Sequence, residues 1–270
     1  MAESEGVHAL VAAVLASPKY RHIHPGLVQR VAAQELAKGR RLKETLKAVK
    51  NKLHQVGGAY FDGELEYDGW LSDLQAAAAS SDQLALKAVC KQVMARHAST
   101  RERLPILEEF YTAVFAELPP IHSLLDLACG LNPLALQWMP LTPDAAYYAC
   151  DIYTDMVAFL NGFMKLMPVQ AAVWACDVIA KPPNQKVDLA LLLKTIPCLE
   201  QVDKHAGKRL LDTINADYLL VSYPLHSLGG KQKGMRAHYE ASFRDLVAGR
   251  NWDIKRFEFE TELAFLVSKQ

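Results

Sequence analysis

The sequence predicts an α/β fold: a mostly parallel, seven-stranded sheet with helices on both faces, preceded by an all-helical region. Three observations predict it. Through residues 1–100 apolar positions recur at helical spacing and β-branched runs are few. From about residue 120, short apolar runs alternate with helical segments, the pattern of parallel strands joined by crossover helices. The last two runs are joined through Glu260, Thr261 and Glu262 alone, which makes them a hairpin. The expected division is a helical domain over 1–100 and a sheet domain over 101–270.

Each element has its own justification. Val7, Leu10, Val11, Val14 and Leu15 mark a first helix. Its start is acidic, unlike the basic lead of a secretory signal. Pro18 and Pro25 punctuate the first break. Residues 26–56 form a basic amphipathic pair of helices with Leu42, Leu46, Val49 and Leu53 on one face, stopped by Gly57 and Gly58. Two more helices follow over 68–79 and 82–97. Strands fall at 122–128, 145–151, 170–176, 187–193, 217–223, 252–259 and 262–268, with helices such as 154–167 and 203–215 between them.

With 51% hydrophobic residues the chain has material for a packed core, and global disorder is excluded. The formal net charge is zero, but the average hides a basic stretch. Between residues 19 and 52 lie Lys19, Arg21, Arg30, Lys38, Arg40, Arg41, Lys43, Lys47, Lys50 and Lys52, opposed only by Glu35 and Glu44. Such a face suits a phosphate backbone. The cysteines are odd in number (Cys90, Cys129, Cys150, Cys176, Cys198) and none has zinc-ligand spacing, so they read as reduced thiols of a cytoplasmic protein. His22 and His24 lack further ligands at suitable spacing, so no metal is expected. No apolar run reaches membrane-spanning length, so no membrane partner is expected.

The motif that carries chemistry is LLDLACGLNPLAL, residues 124–136. An apolar strand ends near Asp126, Gly130 allows close backbone approach, and a helix start follows. Asp151 ends the next strand, at about the spacing of a ribose-binding acid, and Asp177 ends the third, where it suits an adenine amino group. Neither G-x-G-x-x-G nor G-K-[ST] is present, so no pyrophosphate cradle is indicated. One glycine with three strand-end acids, and five parallel strands followed by a hairpin, point to a class I, Rossmann-like S-adenosylmethionine (SAM)-dependent methyltransferase. In HASTRERLP (97–105), Arg103 or Arg101 offers a fork for the methionine carboxylate; the plainer reading is a helix start capped by Ser99 or Thr100. LLLKTIPCLE (191–200) ends the fourth strand and offers Lys194, Cys198 and Glu200. Cys198 is either a small buried residue or a nucleophile for C5-pyrimidine methylation. SLGGKQKGMR (227–236) places Lys231, Lys233 and Arg236 in a glycine-rich loop suited to phosphates. Tyr223, Trp138 and His226 are aromatic candidates for stacking on a base.

STRERLP, DLACGLNPLA, the aspartate of ACDIY, LLLKTIPCLE and SLGGKQKGM together resemble the aminoglycoside-resistance 16S rRNA methyltransferases of the Arm, Rmt and gentamicin-producer type, over nearly the whole chain. The resemblance implies methylation of N7 of guanine-1405, in helix 44 of 16S rRNA within the 30S subunit. It implies SAM held by Arg103, Gly130, Asp151 and Asp177, with Lys194, Glu200 and Lys231 near the target base. The RNA partner would be met by Lys38, Arg40, Arg41, Lys43, Lys47, Lys50, Lys233 and Arg236. Guanine N7 carries a free lone pair at neutral pH, so no general base is expected, and proximity and alignment supply the catalysis. The base is expected to flip into the pocket. An adenine-N1 decoding-site methyltransferase and the Cys198 pyrimidine enzyme are the alternatives.

Overall fold

The structure, a computed structural model, describes residues 2–58, 60–61, 65–80, 82–225 and 234–269. Helices come first: α1 (Ala2–Leu15), α2 (Pro25–Leu36) and α3 (Leu42–Leu53), the last running into a π-helical turn over His54–Gly58. Then come α4 (Tyr67–Ala79), α5 (Gln83–Met94), α6 (Ala98–Arg103) and α7 (Leu107–Phe115). Pro25 opens α2, where its missing N–H costs nothing. Asp82 caps α5 by accepting from the N–H groups of Leu84 and Ala85, at 2.9 and 3.2 Å. Neither Ser99 nor Thr100 caps α6; the Thr100 hydroxyl instead donates to the carbonyls of Met94 and His97.

The sheet follows: β1 (Ser123–Leu127), β2 (Ala146–Asp151), α8 (Thr154–Met164), β3 (Gln170–Ala175), β4 (Val187–Leu193), α9 (Thr195–Glu200), α10 (Ala206–Thr213), β5 (Ala216–Pro224), α11 (Met235–Val247), β6 (Trp252–Glu258) and β7 (Glu262–Lys269). The strand order is β3-β2-β1-β4-β5-β7-β6, parallel through β5 and antiparallel in the last two. β1 and β4 are buried on both faces, which is why their sequences read as unbroken apolar runs rather than alternations. β6 is an edge strand whose exposed Asp253, Lys255 and Arg256 discourage pairing with another chain. The sheet reverses its winding between β1 and β4, so the carboxyl ends of β1 and β4 open a crevice, the usual ligand position of such folds.

The helices over 2–94 fall into two layers. Val14, Leu27, Val28, Val31, Val49 and Leu53 of α1–α3 form their own apolar cluster, capped by Ile152 and Tyr153. Trp70, Leu74, Cys90 and Val93 of α4 and α5 instead share one core with Leu124, Tyr147 and Phe163 of the sheet layer. Backbone bridges fasten both layers. The His24 N–H donates to the Ile152 carbonyl (2.7 Å), the Thr154 N–H to that of His22 (2.8 Å), and the Ala98 N–H to that of Tyr60 (2.7 Å). The HIHP segment is thus a docking strap beside the end of β2. No helix among the described residues is long and apolar enough to cross a membrane.

Candidate active site

The turn after β1 builds the floor of the crevice. Ala128 and Gly130 both take left-handed backbone angles, φ 51° and 52°. A Cβ at Gly130 would lie 2.8 Å from His97 Cε1, so conformation and space both call for glycine. The turn aims the Gly130 N–H at Asp151 Oδ2 (2.9 Å), while the Ile152 N–H reaches Oδ1 (2.7 Å). Asp151 is buried, which pushes its pKa up; the backbone donors pull against that shift. The Tyr153 N–H also faces this carboxylate, and of its about four lone-pair sites some acceptor capacity is left for a further donor.

The walls come from both parts of the chain. Leu27, Val56, Ile152, Met156, Val178, Ile179, Leu199 and Val202 are apolar; Tyr60, His97, Ser99, Gly130, Asp151, Asp177, Lys194 and Thr195 supply the polar groups. Arg30 of α2 also lines the pocket and grips Asp177 side-on, Nε to Oδ2 at 2.7 Å and Nη2 to Oδ1 at 2.9 Å. His97 stacks on Tyr60 (5.7 Å) and meets Phe61 edge-on (4.9 Å). Burial, together with the nearby cations Lys194, Arg101 and Arg103, brings the His97 pKa down to about 3. A neutral imidazole in the fold and an ordinary one in the unfolded chain mean that the unfolded state binds the extra proton, so stability falls as pH drops below about 6.5. Between pH 7 and 5 the wild type should lose about 1 kcal/mol more than a His97→Gln variant, after discounting for the ring's partial exposure. Parallel urea melts that show equal losses would refute this.

Beneath the pocket floor lies a second layer, a closed polar network. The Arg103 guanidinium pairs bidentately with Glu262 (3.0 and 2.7 Å) and donates from Nη1 to Asn132 Oδ1 (3.0 Å). Tyr111 donates to the same Asn132 oxygen (2.7 Å). Asn132 Nδ2 and the Tyr147 hydroxyl both donate to Asp126 Oδ2, each at 2.8 Å. Burial lifts the Asp126 pKa to about 7 against the pull of these donors and of Arg103. Burial also opposes ionisation of Glu262, but Arg103 and Lys194 outweigh it and hold that carboxyl below its ordinary range. Lys194, left-handed at φ 58°, donates to Glu102 (2.8 Å) and to the Ser99 carbonyl (3.1 Å), and lies 3.4 Å from Glu262.

The structure therefore brings together Gly130, Asp151, Asp177 and Lys194, and sets Arg103 and Asp126 one layer below them. Glu200 turns toward α10, where a Cβ at Gly207 would lie 3.0 Å from its Oε1, and it does not line the pocket. Cys198 does line it, but burial pushes its thiol up to about 11 and the Tyr60 hydroxyl sits 2.8 Å from its sulfur. A protonated, occupied thiol is a poor nucleophile, so the pyrimidine alternative lacks its activated cysteine. Tyr223 is covered by Tyr239 (4.9 Å), and Trp138 by Lys87 and Lys91, so neither offers a free face. Lys231, Lys233 and His226 lie outside the described residues. Arg236 pairs with Glu258. Arg41, Lys43 and Lys47 are exposed and form no ion pair among the described residues; Lys38 and Arg40 share the buried Glu35, and Lys50 lies half-buried over Tyr20.

Four residues of the site escape the sequence reading. Tyr60 carries no motif, and His97 opens the HASTRERLP segment without a role read for it there. Arg30 counts there as part of the basic face, yet it sits one turn beyond Leu27, on the flank of the apolar stripe, and turns inward. Glu262 reads as a hairpin residue but opens β7 and is fully buried. An arginine beside an apolar stripe and an acid heading an apolar strand are the signals that find the last two.

An apolar slot with strand-end carboxylates, a close-approach glycine and no phosphate cradle fits an adenosine bearing an amino-acid arm. With the strand order above, it defines a SAM-dependent methyltransferase. The chain belongs to the ribosomal RNA methyltransferase (FmrO) family, whose model matches residues 16–266. A 16S rRNA (guanine(1405)-N(7))-methyltransferase of Frankia casuarinae is 37% identical over 270 residues, 99% of this chain and 95% of that one. The Serratia marcescens protein of the same name is 34% identical over 264 residues, 97% of this chain and 98% of its own. Among solved structures, the 16S rRNA methyltransferase RmtF in complex with S-adenosyl-L-homocysteine superposes with a TM-score of 0.81 at 31% identity, covering 98% of this chain and 99% of that one.

Proposed function

We infer that this protein transfers the methyl group of SAM to N7 of guanine-1405 in 16S rRNA. The observation that carries the reading is similarity along almost the whole chain to relatives named for that reaction. Bound SAM supplies an electrophilic methyl on a sulfonium centre. In this reading Asp151 accepts from the ribose hydroxyls, Asp177 from the adenine amino group, and the Gly130 turn admits the ligand close to the backbone. Arg103 acts from below, through the network that fixes Asn132 and Lys194.

N7 attacks with a lone pair already free, so the protein has no proton to remove. The pocket agrees with that demand: Cys198 is held protonated, Lys194 is ion-paired, and Asp177 is bound to Arg30. Alignment of the base with the methyl is the work left to the enzyme. Cys198→Ala should therefore keep methyl transfer within about threefold of wild type, the size of a lost packing contact rather than a lost nucleophile; a drop of a thousandfold or more would revive the pyrimidine reading.

The substrate is the assembled 30S subunit of the cytoplasm, met on its phosphates by the exposed Arg41, Lys43 and Lys47. Replacing Lys43 and Lys47 together with alanine should weaken 30S binding roughly tenfold at moderate salt and leave SAM affinity unchanged. Equal 30S binding by filter assay would reduce this face to a solvated surface. Methylation fixes a positive charge on the guanine, and a cationic aminoglycoside then meets repulsion and a steric block. The direct test treats 30S subunits with the protein and SAM, then reduces with borohydride and cleaves with aniline. A single new cut at guanine-1405 is expected. Methyl incorporation with no cut would mean that the target atom is wrong.

A further inference from the structure

Two walls of the pocket are held together by side chains. One wall is the end of α3, whose π-helical turn over His54–Gly58 brings in Val56 and Gly57, with Tyr60 just beyond. The other is α9 and the turn after it, which bring in Thr195, Cys198, Leu199 and Val202. The first wall has a fixed seat. Gly57 is buried, and a Cβ there would lie 2.6 Å from the Tyr153 hydroxyl oxygen, so the turn packs directly on the segment that follows Asp151. The second wall is a helix of six residues behind the left-handed Lys194, too short to hold its own place. Two contacts join the walls. On the pocket side, Tyr60 Oη and Cys198 Sγ are 2.8 Å apart. On the solvent side, Lys52 Nζ, from the last turn of α3, donates to the Gln201 carbonyl at the end of α9.

In the sequence Lys52 counts as part of the basic face. In the fold it parts from Lys43 and Lys47: those two are exposed, whereas Lys52 is half-buried beside the fully buried Leu53. The last carbonyls of a helix lack partners within it, and a lysine is a usual donor to them. The Gln201 carbonyl accepts from no other group among the described residues. Val202, the next residue, both lines the pocket and packs on the apolar cluster of α1–α3, so the carbonyl that Lys52 grips is one step from the wall. Lys52 also lies within electrostatic reach of Glu35, which Lys38 and Arg40 already pair. We propose that Lys52 is a positioning residue of the cofactor pocket, clamping the end of α9 to α3 so that Leu199 and Val202 stay in the wall. The proposal rests on the reading of this crevice as the SAM pocket and goes beyond it. α3 then does two jobs: it offers Lys43 and Lys47 to RNA nearer one end and holds the cofactor wall at the other.

The test compares wild type, Lys52→Met and Lys52→Arg. Calorimetry gives the affinity for S-adenosyl-L-homocysteine, filter binding at moderate salt gives the affinity for 30S subunits, and a thermal melt checks the fold. Lys52→Met keeps most of the apolar stem and removes the donor. It should bind S-adenosyl-L-homocysteine about 3- to 10-fold more weakly, the scale of one hydrogen bond near the surface. Its 30S affinity should stay within about twofold of wild type, since no phosphate contact is lost. Lys52→Arg again offers a cationic donor to the carbonyl and should restore the wild-type value. The reverse pattern, weaker 30S binding with unchanged S-adenosyl-L-homocysteine affinity, returns Lys52 to the RNA face and overturns the proposal. Unchanged affinity for both overturns it too. So does an earlier melt of Lys52→Met with unchanged S-adenosyl-L-homocysteine affinity, which would assign the lysine to Glu35. An earlier melt with both affinities reduced, not restored by arginine, would show a general packing defect and overturn it as well. Failure of wild type to bind S-adenosyl-L-homocysteine at all would instead remove the pocket reading beneath it.

Discussion

Replacing Asp151 with alanine should raise the dissociation constant for SAM at least about 100-fold, because a carboxylate that accepts charge-assisted hydrogen bonds is lost together with the anchor of a loop. Asp151 binds the Gly130 N–H with one oxygen and the Ile152 N–H with the other. Its removal frees the strained Ala128–Gly130 turn as well as the expected ribose contacts. Asparagine is no close substitute. It has one acceptor where two backbone N–H groups converge, so its amide nitrogen would face a donor. We therefore expect Asp151→Asn to lose affinity nearly as far as the alanine variant. Calorimetry on both variants, with circular dichroism to confirm folding, checks this. Unchanged affinity in either would remove Asp151 from the cofactor site.

The second large effect is on stability. Glu262 and Arg103 are almost wholly buried, with side-chain exposures of 0% and 1%, and Lys194 adds a second cation at 3.4 Å. Glu262→Ala leaves two positive groups without their shared anion, so it should cost about 3–5 kcal/mol, the usual penalty for breaking a buried pair from one side. Glu262→Gln keeps the shape and one acceptor and should cost less, though the charges stay unbalanced. Urea denaturation of the three proteins decides the matter; a loss below about 1 kcal/mol for the alanine variant would show that water reaches the pair. The variant should also loosen Lys194, whose left-handed backbone is kept in place by contacts rather than by preference.

The fold was legible because its signals are local. The apolar runs at 187–193 and 170–176, and the hairpin near the C-terminus, reappear as strands within a residue or two. The places of Gly130, Asp151 and Asp177 along one edge of the sheet were legible for the same reason: Asp151 ends β2, and Gly130 and Asp177 follow β1 and β3 by two or three residues. α9 and α11 were less so, since a six-residue helix and an amphipathic segment behind a glycine-rich loop give weak periodicity. Pairings across the chain were not legible at all. Arg30 meets Asp177 across 147 positions and Arg103 meets Glu262 across 159, distances over which charge spacing says nothing. The same limit hid the sharing of the sheet's core by α4 and α5, because an apolar stripe shows that a helix is buried and does not name the surface it is buried against.

That shared core governs how the chain can be made. Trp70, Leu74, Cys90 and Val93 leave the ribosome before the strands and helix they pack on, and Phe163 follows Val93 by roughly seventy residues. At about 5–20 residues per second, the apolar faces of α4 and α5 stay bare for roughly 4–14 seconds of synthesis. α1–α3 can collapse on one another in that interval, since their cluster is nearly self-contained. The helices after them must wait. A nascent chain halted between residues 94 and 163 should thus be the form most readily captured by a chaperone, and the cofactor pocket, lined from Leu27 to Val202, can close only once α9 has been translated.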